Sequence, residues 1–164
     1  MAGKAPLQLP ISLHLISSDG TGSASSLEVV GAVNGLPISS ARPTYKSPQT
    51  ALEMGRYTLL LNATESTEMV PQGVGYATLN ISKTGACSLS GKLAEGTAFT
   101  ASRALINNSS GQPEFLLFNT SLYSSKGLLA GALTFANLSA SDCSGSLNWR
   151  KPVMSQGSYY KAGF

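Results

Sequence analysis

The sequence predicts an all-β fold: an antiparallel meander of about ten strands, closed or nearly closed into a barrel, with a two-sheet β-sandwich as the alternative. Three observations predict it. Runs of alternating apolar and polar residues recur nearly end to end, which is the period of a half-buried strand. Gly or Asn-Gly breaks separate them by links too short for crossover helices, so consecutive strands must be antiparallel neighbours. No segment sustains a 3.6-residue period. Strands in such number either close or split into two packed sheets, and closure removes exposed edges. At 164 residues the chain is long enough to bury a core as one domain, 1–164, with an N-terminal strand and flexible loop over 1–26 and a tail over 150–164.

The elements follow in order. Leu7, Leu9, Ile11, Leu13 and Leu15 alternate strictly with Gln8, Pro10, Ser12 and His14. Pro10 has no N–H for a ladder and places this strand at an edge or a bulge. Ser17 to Ser26 is a Gly/Ser loop. Leu27–Val33 and Leu36–Arg42 flank Asn34-Gly35, a pair that accepts the positive φ angles of a type I′ hairpin turn. Pro43 to Met54 is irregular, with one helical turn expected over Ala51–Met54. Gly55 opens a strand through Tyr57, Leu59 and Leu61, and 63–73 is a polar loop. Tyr76–Ser82 and Ala86–Leu93 pair across Lys83-Thr84-Gly85. Glu95-Gly96 turns into a strand over Thr97–Ile106, and Asn107–Gln112 turns into Phe115–Tyr123. Lys126-Gly127 leads to Leu128–Phe135, and a loop over Asn137–Asp142 leads to the last strand, Cys143–Trp149.

The composition excludes more than it assigns. Only 12% of residues are charged, and a net charge of +3 comes from 11 scattered basic and 8 acidic residues. The basic spots Arg42–Lys46 and Arg150-Lys151 do not interleave with aromatics as a nucleic-acid groove does. No apolar run approaches the ~20 residues that span a bilayer, and the N-terminus has no continuous apolar stretch of a signal peptide. Low charge with abundant Ser, Thr and Gly fits a mature or excised extracellular or cell-surface chain. The lone His14 has no nucleophile in a recognisable elbow. Asp19, Glu28, Glu53, Glu65, Glu68, Glu95, Glu114 and Asp142 suggest no facing carboxylate pair. No Gly-rich loop precedes a helix. The expectation is therefore no catalytic residue, no cofactor, no metal site and no enzymatic activity.

Cys87 and Cys143 each share parity with apolar residues, Leu89 and Leu93 for the first and Leu147 and Trp149 for the second, so both point inward. They are either two small buried hydrophobes or a candidate inter-strand disulfide. Asn62, Asn80, Asn107, Asn108, Asn119 and Asn137 each begin Asn-X-Ser/Thr, which marks either glycosylation or the preference of these residues for turns.

From Gly55 onward a series of short motifs stands out: Gly-Arg-Tyr-Thr (55–58), Gly-Tyr-Ala-Thr-Leu (75–79), Leu-Ser-Gly-Lys-Leu-Ala-Glu-Gly-Thr (89–97), 121–135, Ser-Gly-Ser-Leu-Asn-Trp-Arg-Lys-Pro (144–152) and Tyr-Tyr-Lys-Ala-Gly-Phe (159–164). In this order they resemble a β-rich module of unassigned activity found in large extracellular repeat proteins of environmental bacteria of the Verrucomicrobia and Planctomycetes type. Glu95 stands where that module usually carries Asp. The resemblance implies a non-enzymatic module among others of its kind.

The function expected from these readings is an extracellular structural module, a building block of a surface layer, sheath or filament, whose partner is itself or a neighbouring module. Leu7, Leu9, Ile11, Leu13 and Leu15 form the candidate assembly strand, because a strand on a loose tether can reach a neighbour's open edge. The alternative is a module binding a small molecule or glycan through Tyr45, Tyr123, Tyr159 and Tyr160.

Overall fold

The computed structural model describes residues 10–17, 27–33, 36–40, 43–45, 47–67, 69–108, 110–136, 141–156 and 159–164. The chain divides into two compact units, Met1–Arg42 and Pro43–Phe164.

The first unit is a three-stranded antiparallel sheet of β1 (Ile11–Ser17), β2 (Leu27–Val33) and β3 (Leu36–Ser40) in the order β1-β2-β3. Ile11 lies opposite Val33 and Ser17 opposite Leu27. The strand that follows Pro10 is thus an edge strand, as the missing N–H of that residue demands. Ile11 and Leu13 are 62% and 59% exposed. Leu7, Leu9, the Asn34-Gly35 turn and the loop over 18–26 lie outside the described residues, as does the side chain of Leu15.

The second unit holds two four-stranded antiparallel sheets. One has the order β4-β5-β6-β7, from Gly55–Leu61, Gly75–Ile81, Ala86–Lys92 and Ala98–Ala104. The other has the order β11-β10-β9-β8, from Cys143–Arg150, Leu128–Phe135, Pro113–Asn119 and the two-residue Ile106–Asn107. Alternation decides which face each strand buries. Ala77, Leu79 and Ile81 of β5, Cys87 and Leu89 of β6 and Phe99 of β7 point inward, and meet Phe115 and Leu117 of β9 and Leu129, Leu133 and Phe135 of β10 in one core. The opposite parity of the first sheet carries Thr58, Thr78, Ser90 and Thr100 in register on its outer face.

The all-β class and the antiparallel meander follow the sequence; the closed barrel does not. Among the described residues no pairing joins β4 to β7 or β8 to β11, so the strands form two open sheets over a shared core, the layout of the sandwich alternative. The reason lies at Leu105. The strand expected over Thr97–Ile106 breaks there, because the Leu105 side chain is fully buried while its N–H donates to the Gly85 carbonyl (2.8 Å) and its carbonyl accepts from the Thr44 N–H (2.8 Å). The chain leaves the first sheet at this point and enters the second through β8. Ala51–Met54 is a turn closed by the Met54 N–H on the Ala51 carbonyl (3.2 Å) rather than a helical turn. The strand expected to reach Tyr123 ends at Asn119.

Phe115, with no exposed surface, belongs to this core. Phe115→Ala should lower unfolding free energy by about 3–5 kcal/mol, whereas Leu60→Ala, at a side chain 68% exposed on the outer face of β4, should stay within about 0.5 kcal/mol of the parent. Urea unfolding of the two variants checks this, and equal losses would contradict the assignment of faces.

Candidate functional site: a cleft between two edge strands

The two long sides of the sandwich differ. On one side β7 packs against β9, and the Asn119 side chain, 8% exposed, donates from Nδ2 to the Thr100 carbonyl (2.8 Å), so an edge carbonyl of one sheet is satisfied by a side chain of the other. The Asn119 Oδ1 accepts from the N–H and hydroxyl of Ser121 (2.9 Å each). This asparagine is therefore occupied structurally and does not present a glycosylation site. The Asn108 Oδ1 accepts from the N–H groups of Ser110 and Gln112 (3.0 Å each), bonds that do not engage the Nδ2 that a glycan would join. Asn62, Asn80 and Asn107 are exposed, and Asn137 lies outside the described residues.

On the other side the outer strands β4 and β11 flank a cleft of about 830 Å³. Its floor and walls include Leu59, Leu61, Leu93, Leu129, Leu133 and Leu147. The inward side chains of the central strands are buried, but those of the two edges, Tyr57, Leu59 and Leu61 on β4 and Leu147 and Trp149 on β11, are only half-buried. Seven consecutive residues of β11, Cys143 to Trp149, line the cleft in both parities, so the backbone edge of the strand opens into it as well as its inward face. At one end Tyr57 packs edge-on against Phe135, with ring centroids 5.4 Å apart.

The other end is built by a buried ion pair that sequence reasoning missed. Glu95, in the β6–β7 turn, and Lys151, just past β11, form a salt bridge with side chains 4% and 6% exposed. The Lys151 ammonium donates to Glu95 Oε2 and to the Tyr159 carbonyl (2.6 Å), and lies 5.4 Å from the centre of the Tyr123 ring. Glu95 Oε1 accepts from the Tyr123 hydroxyl and from Thr97 Oγ1 (2.7 Å). The Tyr123 oxygen in turn accepts from the indole N–H of Trp149 (3.2 Å). Backbone bonds in both directions tie Lys151 to Phe164 (3.0 and 3.1 Å), and the Phe164 ring packs edge-on against Trp149 at 4.7 Å. The pair thus fixes two aromatic walls of the cleft, Trp149 and Phe164, and folds the tail over 150–164 back onto the sandwich.

Local backbone geometry aims Tyr123 at this pair. Tyr123, Ser124 and Ser125 have φ values of 53°, 58° and 64°, a left-handed turn over Leu122–Ser125 closed by the Lys126 and Gly127 N–H groups on the Leu122 carbonyl (3.2 and 3.1 Å). Such a conformation costs roughly 1–2 kcal/mol per non-glycine residue and persists only where its surroundings hold it. The Tyr123 ring rests on Gly127, where any Cβ would strike it. Gly96, at φ 91°, supplies the positive φ that the Glu95 turn needs.

The electrostatics follow from the hydrogen bonds. Burial raises the pKa of Glu95, but the donors on Lys151, Tyr123 and Thr97 outweigh it, so the carboxyl sits below its ordinary value of 4.5. Burial, and the hydrogen bond to Glu95, push the Tyr123 phenol well above its ordinary value.

The sequence-derived candidates fall in different places. Cys87 and Cys143 both belong to the apolar core, and both are free thiols that burial pushes up to about 11. Their inward parity was legible; the structure holds them as small hydrophobes and not as a disulfide. The four tyrosines do not form one aromatic platform. Tyr45 donates to Glu53 Oε2 (2.5 Å), Tyr123 faces Glu95, Tyr160 packs on Phe164 at 5.9 Å, and Tyr159 is 63% exposed. The described residues contain no cluster of three or more His, Cys, Asp or Glu side chains able to hold a metal, and no helix among them is long and apolar enough to cross a membrane. The side chain of His14 lies outside the described ones.

Breaking the ion pair leaves a buried charge, so Lys151→Ala should cost about 3–5 kcal/mol, and replacing both partners together by apolar residues of similar size, Glu95→Leu with Lys151→Met, should cost less than that single change. Because the folded-state pKa of Glu95 is depressed, the unfolded chain binds more protons as pH falls. This stability is complete above the unfolded value near 4.5 and is lost as pH drops through the lower folded value. Urea midpoints measured down this acid limb should fall more gently for Glu95→Gln than for the parent; parallel limbs would contradict the pairing. The thiols, held protonated by burial, should react slowly with iodoacetamide in the folded protein at neutral pH. Denatured without reductant, the chain should take up two alkyl groups by intact mass, and none would mean a disulfide.

No family model, curated protein or solved structure matches this chain.

Proposed function

We propose that this protein is a non-enzymatic extracellular structural module that assembles with copies of itself or with neighbouring modules by strand exchange or edge pairing, as a unit of a surface layer, sheath or filament. One observation carries the reading: the second unit keeps a cleft with leucines in its lining between two outer strands, β4 and β11, whose outer edges have no pairing strand among the described residues. Natural sheets protect free edges with charges, prolines, bulges or covering loops. Cys143 to Trp149 contains neither a charge nor a proline, and its inward side chains remain only partly buried. An edge with these properties is suited to receive another strand. The low charge of the chain and its resemblance to modules of large extracellular proteins support an extracellular setting. Four of the segments that carry that resemblance, 89–97, 121–135, 144–152 and 159–164, meet in the Glu95–Lys151 network beside the cleft.

The second reading, a binding module, draws on the cleft's volume, which is of the size that holds small ligands. Its lining joins leucines to Trp149, Asn62, Glu65 and Asn148, a mixed surface on which Trp149, and not the four tyrosines, would supply an aromatic face.

Size-exclusion chromatography with light scattering and negative-stain electron microscopy of the purified full chain test the proposal. The expected result is a concentration-dependent series of multimers or fibres that survives high salt, because the surfaces involved are apolar and not charged. A monomer at every concentration contradicts it.

A further inference from the structure

We propose that β1 of a second copy occupies the cleft, its free backbone edge pairing with the free edge of β11 and its apolar face entering between the sheets. This inference rests on the assembly reading above and names the two surfaces that meet.

The arguments for β1 as occupant come from both sides of the contact. As acceptor, β11 pairs only with β10 among the described strands, and seven of its residues open into the cleft. The facing strand opens into the cleft over a shorter run, Thr58 to Leu61, continued by Asn62 to Glu65 of the loop that follows it. β11 is therefore the edge that takes the hydrogen bonds, and β4 supplies the opposing apolar wall through Leu59 and Leu61.

As donor, β1 has the matching properties. It is the outer strand of its own sheet and pairs only with β2 among the described strands, so it can add to another sheet without giving up a hydrogen bond it already has. It is seven residues long, about 23 Å at ~3.3 Å per residue, the same length as the stretch of β11 that lines the cleft. Ile11 and Leu13 stand two apart on one face and are both majority-exposed, an arrangement that leaves apolar surface in water unless something covers it. Leu9 and Leu15 share their parity in the sequence. The cleft offers complementary aliphatic surface at Leu59, Leu61, Leu129, Leu133 and Leu147, and Glu65 is the one charged residue among the described residues that line it.

Donor and acceptor are different surfaces of one chain. Each copy that receives a strand still offers its own β1, and the contact is heterologous: it propagates head to tail unless rotation closes a ring. This polarity yields a test with a readout that general stickiness lacks. The full-length double variant Ile11→Asp/Leu13→Asp spoils the donor at two exposed positions. The full-length variant Leu147→Lys spoils the acceptor. Should circular dichroism show L147K unfolded, Leu59→Lys on the opposite wall replaces it.

Each variant alone should run as a monomer where the parent forms multimers. An equimolar mixture should give a discrete 1:1 dimer, because the first variant retains a sound cleft and the second a sound strand, and neither can extend further. Variants that assemble like the parent overturn this contact while leaving self-assembly standing. Monomeric variants whose mixture also stays monomeric overturn it as well. A parent that is itself monomeric removes the assembly reading and this inference together.

Discussion

The carboxylate of Glu95 is the constraint on which the second unit's architecture turns. A charge removed from water must be paired and hydrogen-bonded or the fold cannot carry it. Here the donors arrive from the 122–125 turn, from Thr97 and from Lys151, and the tail is fastened to the same lysine by the Tyr159 carbonyl and the Phe164 backbone. Segments far apart in sequence are brought to one point, and the strain of three left-handed residues is absorbed there. With net stability of a domain no more than about 5–15 kcal/mol, a buried pair of this kind decides whether the tail and the aromatic walls beside it are ordered at all.

From that anchor the asymmetry of the sandwich follows. The central strands fill the core and are dry. On the β7–β9 side Asn119 bridges the sheets. On the β4–β11 side Trp149 and Phe164 line the cleft together with Leu59, Leu61, Leu129, Leu133 and Leu147 and with polar residues that include Asn62, Glu65, Ser144 and Asn148. A gap of this size between two strand edges, with no charge on Cys143–Trp149, is the feature from which the proposed strand acceptor is argued.

Much of this was legible in the sequence, for a simple reason. Period-two alternation is a local signal, and in strands such as Gly75–Ile81 and Ala86–Lys92 it reports the buried face directly. Inward parity also placed Cys87 and Cys143 correctly. What the sequence did not show were features set by non-local contacts: the break at Leu105 that separates the sheets and prevents closure, the two-residue β8, and the left-handed turn at Tyr123, which no glycine announces. The ion pair did leave a trace. Glu95 continues the parity of Cys87, Leu89 and Leu93, and Lys151 that of Leu147 and Trp149, so both charges fall on inward positions. A charge on the inward parity of a strand end calls for a buried partner, and two of opposite sign on facing sheets identify each other.

The central claim is that β11 is an unpaired edge looking into an open cleft. Hydrogen exchange followed by mass spectrometry on the full chain, diluted until light scattering shows a monomer, tests it most directly. The account predicts slow exchange through Leu128–Phe135, the inner neighbour, and fast exchange for the amides of Cys143–Arg150 that face away from it. Protection of Cys143–Arg150 equal to that of Leu128–Phe135 in the monomer would mean the edge is already covered, and would contradict the claim.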